Sequence, residues 1–187
     1  EEHLLTGQLE STNEAYAIAK IAGIKLCTAI REQKGFDAIS LMPTNLYGPG
    51  DNYHIENSHV FAALLRRFIE AKRKNIKEVS CWGTGTPLRE FLHVDDLAEA
   101  CIFVLENWDP CTQDSPKDEN GKPLNFLNVG TGKDITIKNL AALIAEEVNY
   151  KGKILWDNSN PDGTPKKQLD ITKISSLGWE PNISLKF

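Results

Sequence analysis

Two residues near the amino terminus have types and spacing suited to proton transfer. Tyr16 and Lys20 are four positions apart in residues 13–20, a stretch rich in helix-forming alanine. On a helix, side chains four positions apart lie on one face. An ammonium held close to a phenol stabilises the phenolate, so such a pair could exchange a proton with a substrate hydroxyl or ketone. The lysine would also be free to bind a cofactor ribose. The same spacing alone also fits a half-buried tyrosine beside a solvated lysine.

The element that must position this pair is a long first helix. Ser11 stands three residues before Glu14, which predicts a capping box at the helix start. The helix is expected to run to about Gln33, and Gly35 is expected to end it. Residues 36–42 then predict a short strand, parallel to its neighbours in a β-α-β arrangement.

Further elements follow from hydrophobic periodicity and turn residues. They are a helix at 60–69, strands at 79–82 and 90–94, a helix opening at Asp95, an exposed loop at 107–123, a strand at 126–129, a helix at 137–148 entered through Thr136, and a strand at 154–156. On the helix that opens at Asp95, the expected buried side comprises Leu97, Ala100, Cys101, Val104 and Leu105.

Several motifs together resemble one family. Tyr16-x-x-x-Lys20, a following strand and the P-T-N-L-Y-G-P segment at 43–49 resemble the extended short-chain dehydrogenase/reductase family, whose members act on nucleotide-sugars. Three more matching segments are Asn57-Ser58-His59, residues 82–96 and residues 161–165. The resemblance spans nearly all 187 residues.

The resemblance implies an α/β fold: part of a Rossmann-type doubly wound parallel sheet plus a smaller α/β substrate-binding domain. Residues 1–50 and about 89–130 would belong to the NADP-binding Rossmann domain. Residues of about 51–88 and 131–187 would form the domain that binds the GDP-sugar. The family's glycine-rich dinucleotide fingerprint and its Ser and Cys before the Tyr are not in this sequence. We therefore expect a carboxyl-terminal portion that begins inside a domain and is cut before a final helix opening at 184–187, and we expect it to be inactive alone.

The implied chemistry is NADPH-dependent conversion of GDP-4-keto-6-deoxy-D-mannose into GDP-L-fucose, by epimerisation of two carbons and reduction of the ketone. By resemblance, Tyr16 is the acid that protonates the ketone oxygen, and Lys20 binds the nicotinamide ribose. The residues expected to contact the cofactor are Tyr16, Lys20, Pro43, Thr44, Asn45, Leu46 and His59, and Asn45 is also expected to meet the sugar. A position at the carboxyl end of a parallel strand, as at 43–46, is where open α/β sheets bind ligands.

His59 is the candidate acid/base for epimerisation. Inverting a carbon beside a ketone requires proton removal from one face and return on the other, and histidine serves either role near neutral pH. The alternative interpretation is structural: a histidine that caps the helix at 60–69. A zinc site built from His54 and His59 is not expected, since no cysteine or carboxylate cluster completes it.

A GDP-sugar pocket needs arginine for the diphosphate and an aromatic or apolar wall for guanine. By resemblance, the residues expected to contact the GDP-sugar are Asn45, Arg67, Trp82, Arg89, Asp162 and Lys167. Taken singly, each of them also fits a surface ion pair or a core position.

Composition narrows the partners. The formal net charge of −5 and the lack of a long basic stripe argue against nucleic-acid binding. No apolar run is long enough for a membrane span, and the first residues do not have the plan of a secretory signal, so a cytoplasmic protein is expected. The cysteine spacing indicates reduced, structural thiols and no disulfide framework.

A homodimer through the helix at 13–33 is implied by the resemblance. Ile18, Ile21, Ile24 and Leu26 cover more than one face of that helix, which an internal core helix would explain equally. Two other functions remain open. One is another NAD(P)-dependent nucleotide-sugar epimerase or dehydratase, and the other is a non-catalytic module that binds nucleotide-sugars.

Overall fold

Helices and short strands alternate along the chain, as the sequence predicts. A computed structural model describes residues 1–159 and 162–185. The helices are α1 (Glu14–Lys34), α2 (Val60–Arg73), α3 (Val94–Asn107), α4 (Ile137–Glu147) and α5 (Thr172–Ser176). The strands are β1 (Ser40–Pro43), β2 (Asn45–Tyr47), β3 (Glu78–Trp82), β4 (Leu88–His93), β5 (Phe126–Val129), β6 (Asp134–Thr136), β7 (Lys153–Asp157) and β8 (Lys166–Lys167). Strands β1 and β5 pair in parallel, as do β3 and β7, so the α/β class is confirmed.

The chain divides into two compact units. The first consists of Glu1–Pro43, Ala98–Val129 and Asp170–Glu180. The second consists of Thr44–Leu97, Gly130–Leu169 and the described residues from Pro181 onward. The division into a cofactor domain and a substrate domain at the boundaries given above stays a prediction.

Helix α1 is the longest helix of the described residues and has no buried residue, and its end is the one predicted. Gly35 adopts a left-handed conformation with φ of 65°, and its N–H donates to the Arg31 carbonyl at 2.9 Å. The predicted capping box is wrong. The N-cap is Asn13, which makes no side-chain capping bond, because Ser11–Asn13 form a tight 3-10 turn ahead of the helix.

Strand β1 is shorter than predicted. Its pairing with β5 runs from Ser40, opposite Phe126, to Pro43, opposite Val129. The strand does not begin at Phe36, because the Ala38 N–H turns back to the Phe36 carbonyl at 2.8 Å. The carboxyl end of β1 therefore delivers the chain directly to residues 43–46.

Helix α3 begins at Val94, close to the predicted Asp95, but its buried side is narrower than predicted. Asp96, Ala100 and Val104 are buried, which is a repeat of four residues along one stripe. Cys101 and Leu105 are exposed, so their predicted burial is wrong. Each lies one position beyond the stripe, about 100° around the helix, where the first unit does not cover it.

The second unit packs α2 and α4 against β3, β7 and the middle of β4. Its core contains Tyr47, Phe61, Leu64, Phe68, Ala71, Val79, Cys81, Phe91, Leu140, Ala141, Ile144, Ala145 and Tyr150. Helix α4 starts as predicted: the Thr136 side chain accepts a hydrogen bond from the Asn139 N–H.

Strand β4 is the centre of the sheet in the second unit. Its second half pairs in parallel with β2, with Asn45 opposite Phe91. Its first half pairs antiparallel with β6 and in parallel with β8, which sets Arg89 opposite Lys167. Asn45, Arg89 and Lys167 are consequently arranged around this strand, whereas Trp82 lies on β3, which pairs with β7 in a separate sheet.

No helix in the described residues is long and apolar enough to cross a lipid bilayer. The predicted opening of a final helix at 184–187 falls partly on Lys186 and Phe187, which lie outside the described residues.

Candidate active site

The Tyr16–Lys20 pair lies in the first unit, on the first turns of α1. Lys20 Nζ is 5.5 Å from the centre of the Tyr16 ring, so the two side chains share one face of the helix as predicted. The tyrosine is 62% exposed, which rules out the alternative of a half-buried ring. Its hydroxyl donates to no other residue in the described part of the chain. The pair is available to a ligand.

Asn45 opens β2 in the second unit. Its side-chain Nδ2 donates to the Glu90 carbonyl at 2.8 Å, and the Thr44 hydroxyl donates to the same carbonyl at 3.2 Å. This contact fixes the amide plane and leaves the Asn45 side-chain oxygen without a donor among the described residues. A ligand hydroxyl or amide could donate to that oxygen. Leu46, the next residue, lines a cavity of about 130 Å³ with residues 47–51 and Val94.

Arg67 reaches from α2 to the neighbouring strand β3. Its Nη1 donates to the Ser80 carbonyl at 2.7 Å. Burial raises the pKa of the nearby Cys81 thiol, and the Arg67 guanidinium opposes that rise. Trp82 ends the same strand with its side chain on the exposed face that it shares with Ser80, and it is 70% exposed. Arg67 and Trp82 thus border one edge of β3.

Asp162 closes the loop after Trp82. One of its carboxylate oxygens accepts the Thr84 N–H at 2.9 Å, and the other accepts the Thr84 hydroxyl at 2.6 Å. These bonds lower the pKa of the Asp162 carboxyl, and the Arg89 charge lowers it further. The loop is tight: Gly83 and Gly85 have φ of 74° and 75°, and a Cβ at Gly85 would lie 2.8 Å from the Trp156 ring.

Arg89 faces this loop from β4. Partial burial lowers the pKa of its guanidinium, and attraction to Asp162 opposes that change. A Cβ on Gly163 would lie 3.3 Å from Arg89 Nη2, so the guanidinium lies against the chain beside Asp162. Lys167 on β8 is the strand partner of Arg89. The second unit therefore brings Trp82, Arg89, Asp162 and Lys167 together around one loop, with Arg67 at the neighbouring strand.

His59 stands at the N-cap of α2. Its backbone is extended, its carbonyl accepts from the Ala63 N–H at 2.9 Å, and its side chain makes no capping hydrogen bond. The imidazole is exposed. The alternative of a capping histidine is correct for the position of the residue, which is the N-cap. It is wrong for the ring, which makes no capping bond and is available for proton transfer.

Sequence reasoning missed two residues that hold this region together. Thr84 supplies both hydrogen bonds to Asp162, and Glu90 is a fully buried carboxylate on β4. A glutamate directly before the apolar pair Phe91–Leu92 of a strand is the signal that could have identified Glu90, because a buried acid requires donors.

Residues 1–159 and 162–185 contain no candidate metal site. No group of three or more His, Cys, Asp or Glu side chains there is arranged to hold a metal ion.

Comparison with known proteins decides the family. The model of the NAD dependent epimerase/dehydratase family matches residues 1–115, which is more than half of the chain. The chain belongs to this family.

Its relatives include "Probable GDP-L-fucose synthase 1" of Oryza sativa subsp. japonica, 57% identical over 186 residues that cover 100% of this chain and 53% of that protein. Another is "GDP-L-fucose synthase" of Escherichia coli strain K12, 56% identical over 187 residues and 57% of its length. Among solved structures, "MlghC, GDP-mannoheptose C4 reductase from Campylobacter jejuni with NADP bound" is 33% identical with a TM-score of 0.81, over 98% of this chain and 60% of that one. The chain spans about half the length of the curated relatives it matches. The structural likeness also supports the Rossmann-type fold.

Proposed function

We propose that the protein containing this chain is an NADPH-dependent enzyme that epimerises and reduces GDP-4-keto-6-deoxy-D-mannose to GDP-L-fucose. The observation that carries the proposal is the exposed Tyr16–Lys20 pair, whose residues are one helical turn apart. All of this chain aligns with proteins named GDP-L-fucose synthase, of which it covers 53% and 57% in the two relatives given above. The GDP-sugar and the cofactor come to this chain from the names of those relatives and of the NADP-bound structure.

The residues present in the first unit fit a nicotinamide cofactor. The Lys20 ammonium and the Tyr16 hydroxyl are exposed on one face of α1, and neither is engaged in a hydrogen bond with another described residue. Lys20 would hold the ribose hydroxyls, and Pro43, at the carboxyl end of β1, would border the nicotinamide. Bound NADPH would supply the hydride that reduces the ketone carbon.

Tyr16 is the proton donor in this mechanism. As the ketone carbon is reduced, negative charge develops on its oxygen, and the Tyr16 hydroxyl delivers a proton there. The Lys20 ammonium, close to the ring, stabilises the phenolate left behind.

Epimerisation needs a group that returns a proton to carbon, and His59 is our candidate. Its ring makes no capping bond and is exposed at the start of α2. An imidazolium can protonate the carbanion beside the ketone and regain its proton from solvent. The base that first removes the proton from the opposite face would be the Cys that the resemblance places before the Tyr, which is not in this sequence.

The second unit offers a site for the GDP moiety. Arg89 and Lys167 lie side by side on paired strands, and Arg67 contacts β3, the strand that precedes the glycine loop. These three cations would neutralise the diphosphate, and the exposed Trp82 ring would stack on guanine. Asp162 acts on this site through the loop that it closes, and Asn45 would accept a hydrogen bond from the sugar.

A plain ketoreductase is the second candidate. The Campylobacter jejuni structure described above is named a C4 reductase, and reduction alone requires Tyr16 and Lys20 but not His59. The homodimer through α1 and the cytoplasmic location stay predictions of the sequence.

Replacement of Tyr16 by Phe tests the assignment in the complete gene product. Because only the hydroxyl is removed from an exposed ring, we expect kcat for NADPH oxidation to fall by about 100-fold or more, with the fold intact. Tyr150→Phe is the matched control, since that buried hydroxyl has no hydrogen-bond partner among the described residues. Wild-type turnover by Tyr16→Phe would refute the catalytic role.

A further inference from the structure

Glu90 is a carboxylate buried in the middle of the second unit, on β4. Its side chain is 0% exposed. One oxygen accepts the N–H groups of Thr131 at 2.5 Å and Gly132 at 2.8 Å, and the other accepts the Leu169 N–H at 2.8 Å. Burial of a carboxylate is costly unless such donors compensate it. The three amides come from two separate segments, so Glu90 joins both of them to β4.

The environment is shaped around this carboxylate. Gly130 lies so close that a Cβ there would collide with the Glu90 carboxylate. The Gln168 side chain donates to the Gly132 carbonyl at 2.5 Å, which ties the same two segments a second time. The Glu90 backbone carbonyl in turn receives the Asn45 side-chain amide.

The segment that contains Leu169 also contains Lys167, a residue of the proposed GDP site. Strand β8 pairs with β4 at only two positions, Leu88 with Lys166 and Arg89 with Lys167. Two positions form a weak ladder, which is extended on one side by the Leu88 N–H, a donor to the Pro165 carbonyl at 2.8 Å. On the other side, the residues after Lys167 are held by the Gln168 bond to Gly132 and by the bond from the Leu169 N–H to Glu90. The register that sets Lys167 beside Arg89 therefore depends on a side chain rather than on strand pairing alone.

We propose that Glu90 is a positioning residue for binding of the nucleoside diphosphate: its carboxylate fixes β8 so that Lys167 and Arg89 act together, and its carbonyl orients Asn45. This inference rests on the proposed function, because it concerns the affinity of the same site. Glu90 itself touches neither the reacting atoms nor the ligand.

The diagnostic substitution is Glu90→Gln. Glutamine keeps the size of the side chain, but its amide offers one acceptor oxygen and one NH2 group. Whichever way it turns, at least one backbone N–H faces a donor and is left without an acceptor. If the oxygen stays with Thr131 and Gly132, the Leu169 N–H is released, and the segment that follows β8 loses one of its anchors.

Asp96→Asn is the matched control. Asp96 is also a buried carboxylate of the second unit that accepts two backbone N–H groups, those of Asn182 and Ile183. It does not contact β8. Loss of a buried acid as such should therefore affect both variants, whereas loss of Lys167 positioning should affect only Glu90→Gln.

The experiment uses the complete gene product, with GDP as the calorimetric probe and hydrogen exchange of the peptides covering 166–169 and 181–185. In Glu90→Gln we expect faster exchange at 166–169, GDP affinity lower by about tenfold, and a rise in KM for the GDP-sugar larger than any fall in kcat. In Asp96→Asn we expect faster exchange only at 181–185, with GDP affinity unchanged.

Two results would overturn the proposal: unchanged exchange at 166–169, or faster exchange with wild-type GDP affinity, which would leave Glu90 a purely structural residue. A wild-type protein that fails to bind GDP would instead refute the proposed function and this inference together. If Glu90→Gln does not fold, Gln168→Ala replaces it. That exposed side chain holds the same segment, and its loss should weaken GDP binding in the same direction, whereas unchanged affinity would count against the proposal.

Discussion

Trp82 is the single residue on whose exposure the proposed guanine site depends most. A large aromatic side chain left 70% exposed at the end of a strand gains nothing for stability there. Its neighbours explain the position: Arg67 bonds the carbonyl two residues earlier on β3, and the glycine loop that Asp162 closes follows immediately. An aromatic face beside cations is suited to a nucleotide base next to phosphates.

Trp82→Ala should therefore weaken binding without unfolding the protein. Loss of base stacking is expected to reduce GDP affinity about tenfold to a hundredfold, while the thermal midpoint changes little because the ring is in solvent. Calorimetric titration with GDP measures the first quantity and thermal unfolding the second. Leu105→Ala, at another exposed apolar residue, is the control and should bind as wild type. Equal affinity in both variants would contradict the stacking role.

The two hydrogen bonds from Thr84 to Asp162 predict that the stability of this loop depends on pH. Hydrogen bonds from Thr84 lower the pKa of the Asp162 carboxyl below its ordinary value of 3.8. A carboxyl whose pKa is lower in the folded state stabilises the loop above its unfolded pKa, and the stabilisation disappears as pH falls through the lower, folded pKa. The loop is thus expected to loosen only in strong acid, and the contribution is small because Asp162 is exposed.

Thr84→Val removes the hydroxyl donor while keeping the backbone N–H. The pKa of Asp162 should rise toward its ordinary value, and Thr84→Ser should leave it low, because serine keeps the hydroxyl. An NMR titration of the Asp162 carboxyl carbon measures both. The same pKa in the two variants would mean that the hydroxyl bond does not control this carboxyl.

Among the elements, sequence patterns located helices α1 to α4 and the longer strands, but not the five-residue helix α5 or the short strand pairings around the candidate site. Helix α4 and its Thr136 cap were predicted because cap, periodicity and flanking turns agree. The predicted capping box of α1 is wrong because Ser11 lies in a 3-10 turn. The same residues at the same spacing are compatible with either structure. Strands β2, β6 and β8 have three residues or fewer, which is too short for a periodic signal.

The same limit explains which parts of the candidate site could be predicted. Tyr16 and Lys20 are related by helical spacing alone, so their common face was predictable. The partnership of Arg89 with Lys167 depends on the β4–β8 register, and the hydrogen bonds from Thr84 to Asp162 join residues 78 positions apart in sequence. Contacts at that separation leave no local pattern, and the roles of those residues came from family resemblance.

The Thr136 cap stabilises the start of helix α4. Thr136→Ala leaves the Asn139 N–H at the start of α4 without its acceptor, and we expect the free energy of unfolding to fall by about 1 kcal/mol. Urea denaturation of the complete gene product measures the change, and hydrogen exchange in the first turn of α4 should become faster. Thr136→Ser retains the hydroxyl and is expected to lose far less. An unchanged stability in Thr136→Ala would show that the cap is energetically silent.

At the scale of the whole molecule, the chain distributes its candidate chemistry over two compact units. The proton donor pair of α1 lies in the first, and the cations proposed for the diphosphate lie in the second. Ketone reduction is expected to require the Tyr16–Lys20 pair, and exchange of carbon-bound protons is expected to require His59, which also lies in the second unit. That combination separates the proposed epimerase-reductase from a plain ketoreductase and from a binding module.

The most direct test is turnover of GDP-4-keto-6-deoxy-D-mannose by the complete gene product with NADPH in deuterated water. We expect NADPH oxidation together with deuterium at both carbons that flank the former ketone, read by mass spectrometry and NMR of the product. Oxidation without that label would reduce the function to ketone reduction and remove the role assigned to His59. Failure to oxidise NADPH at all would contradict the central claim.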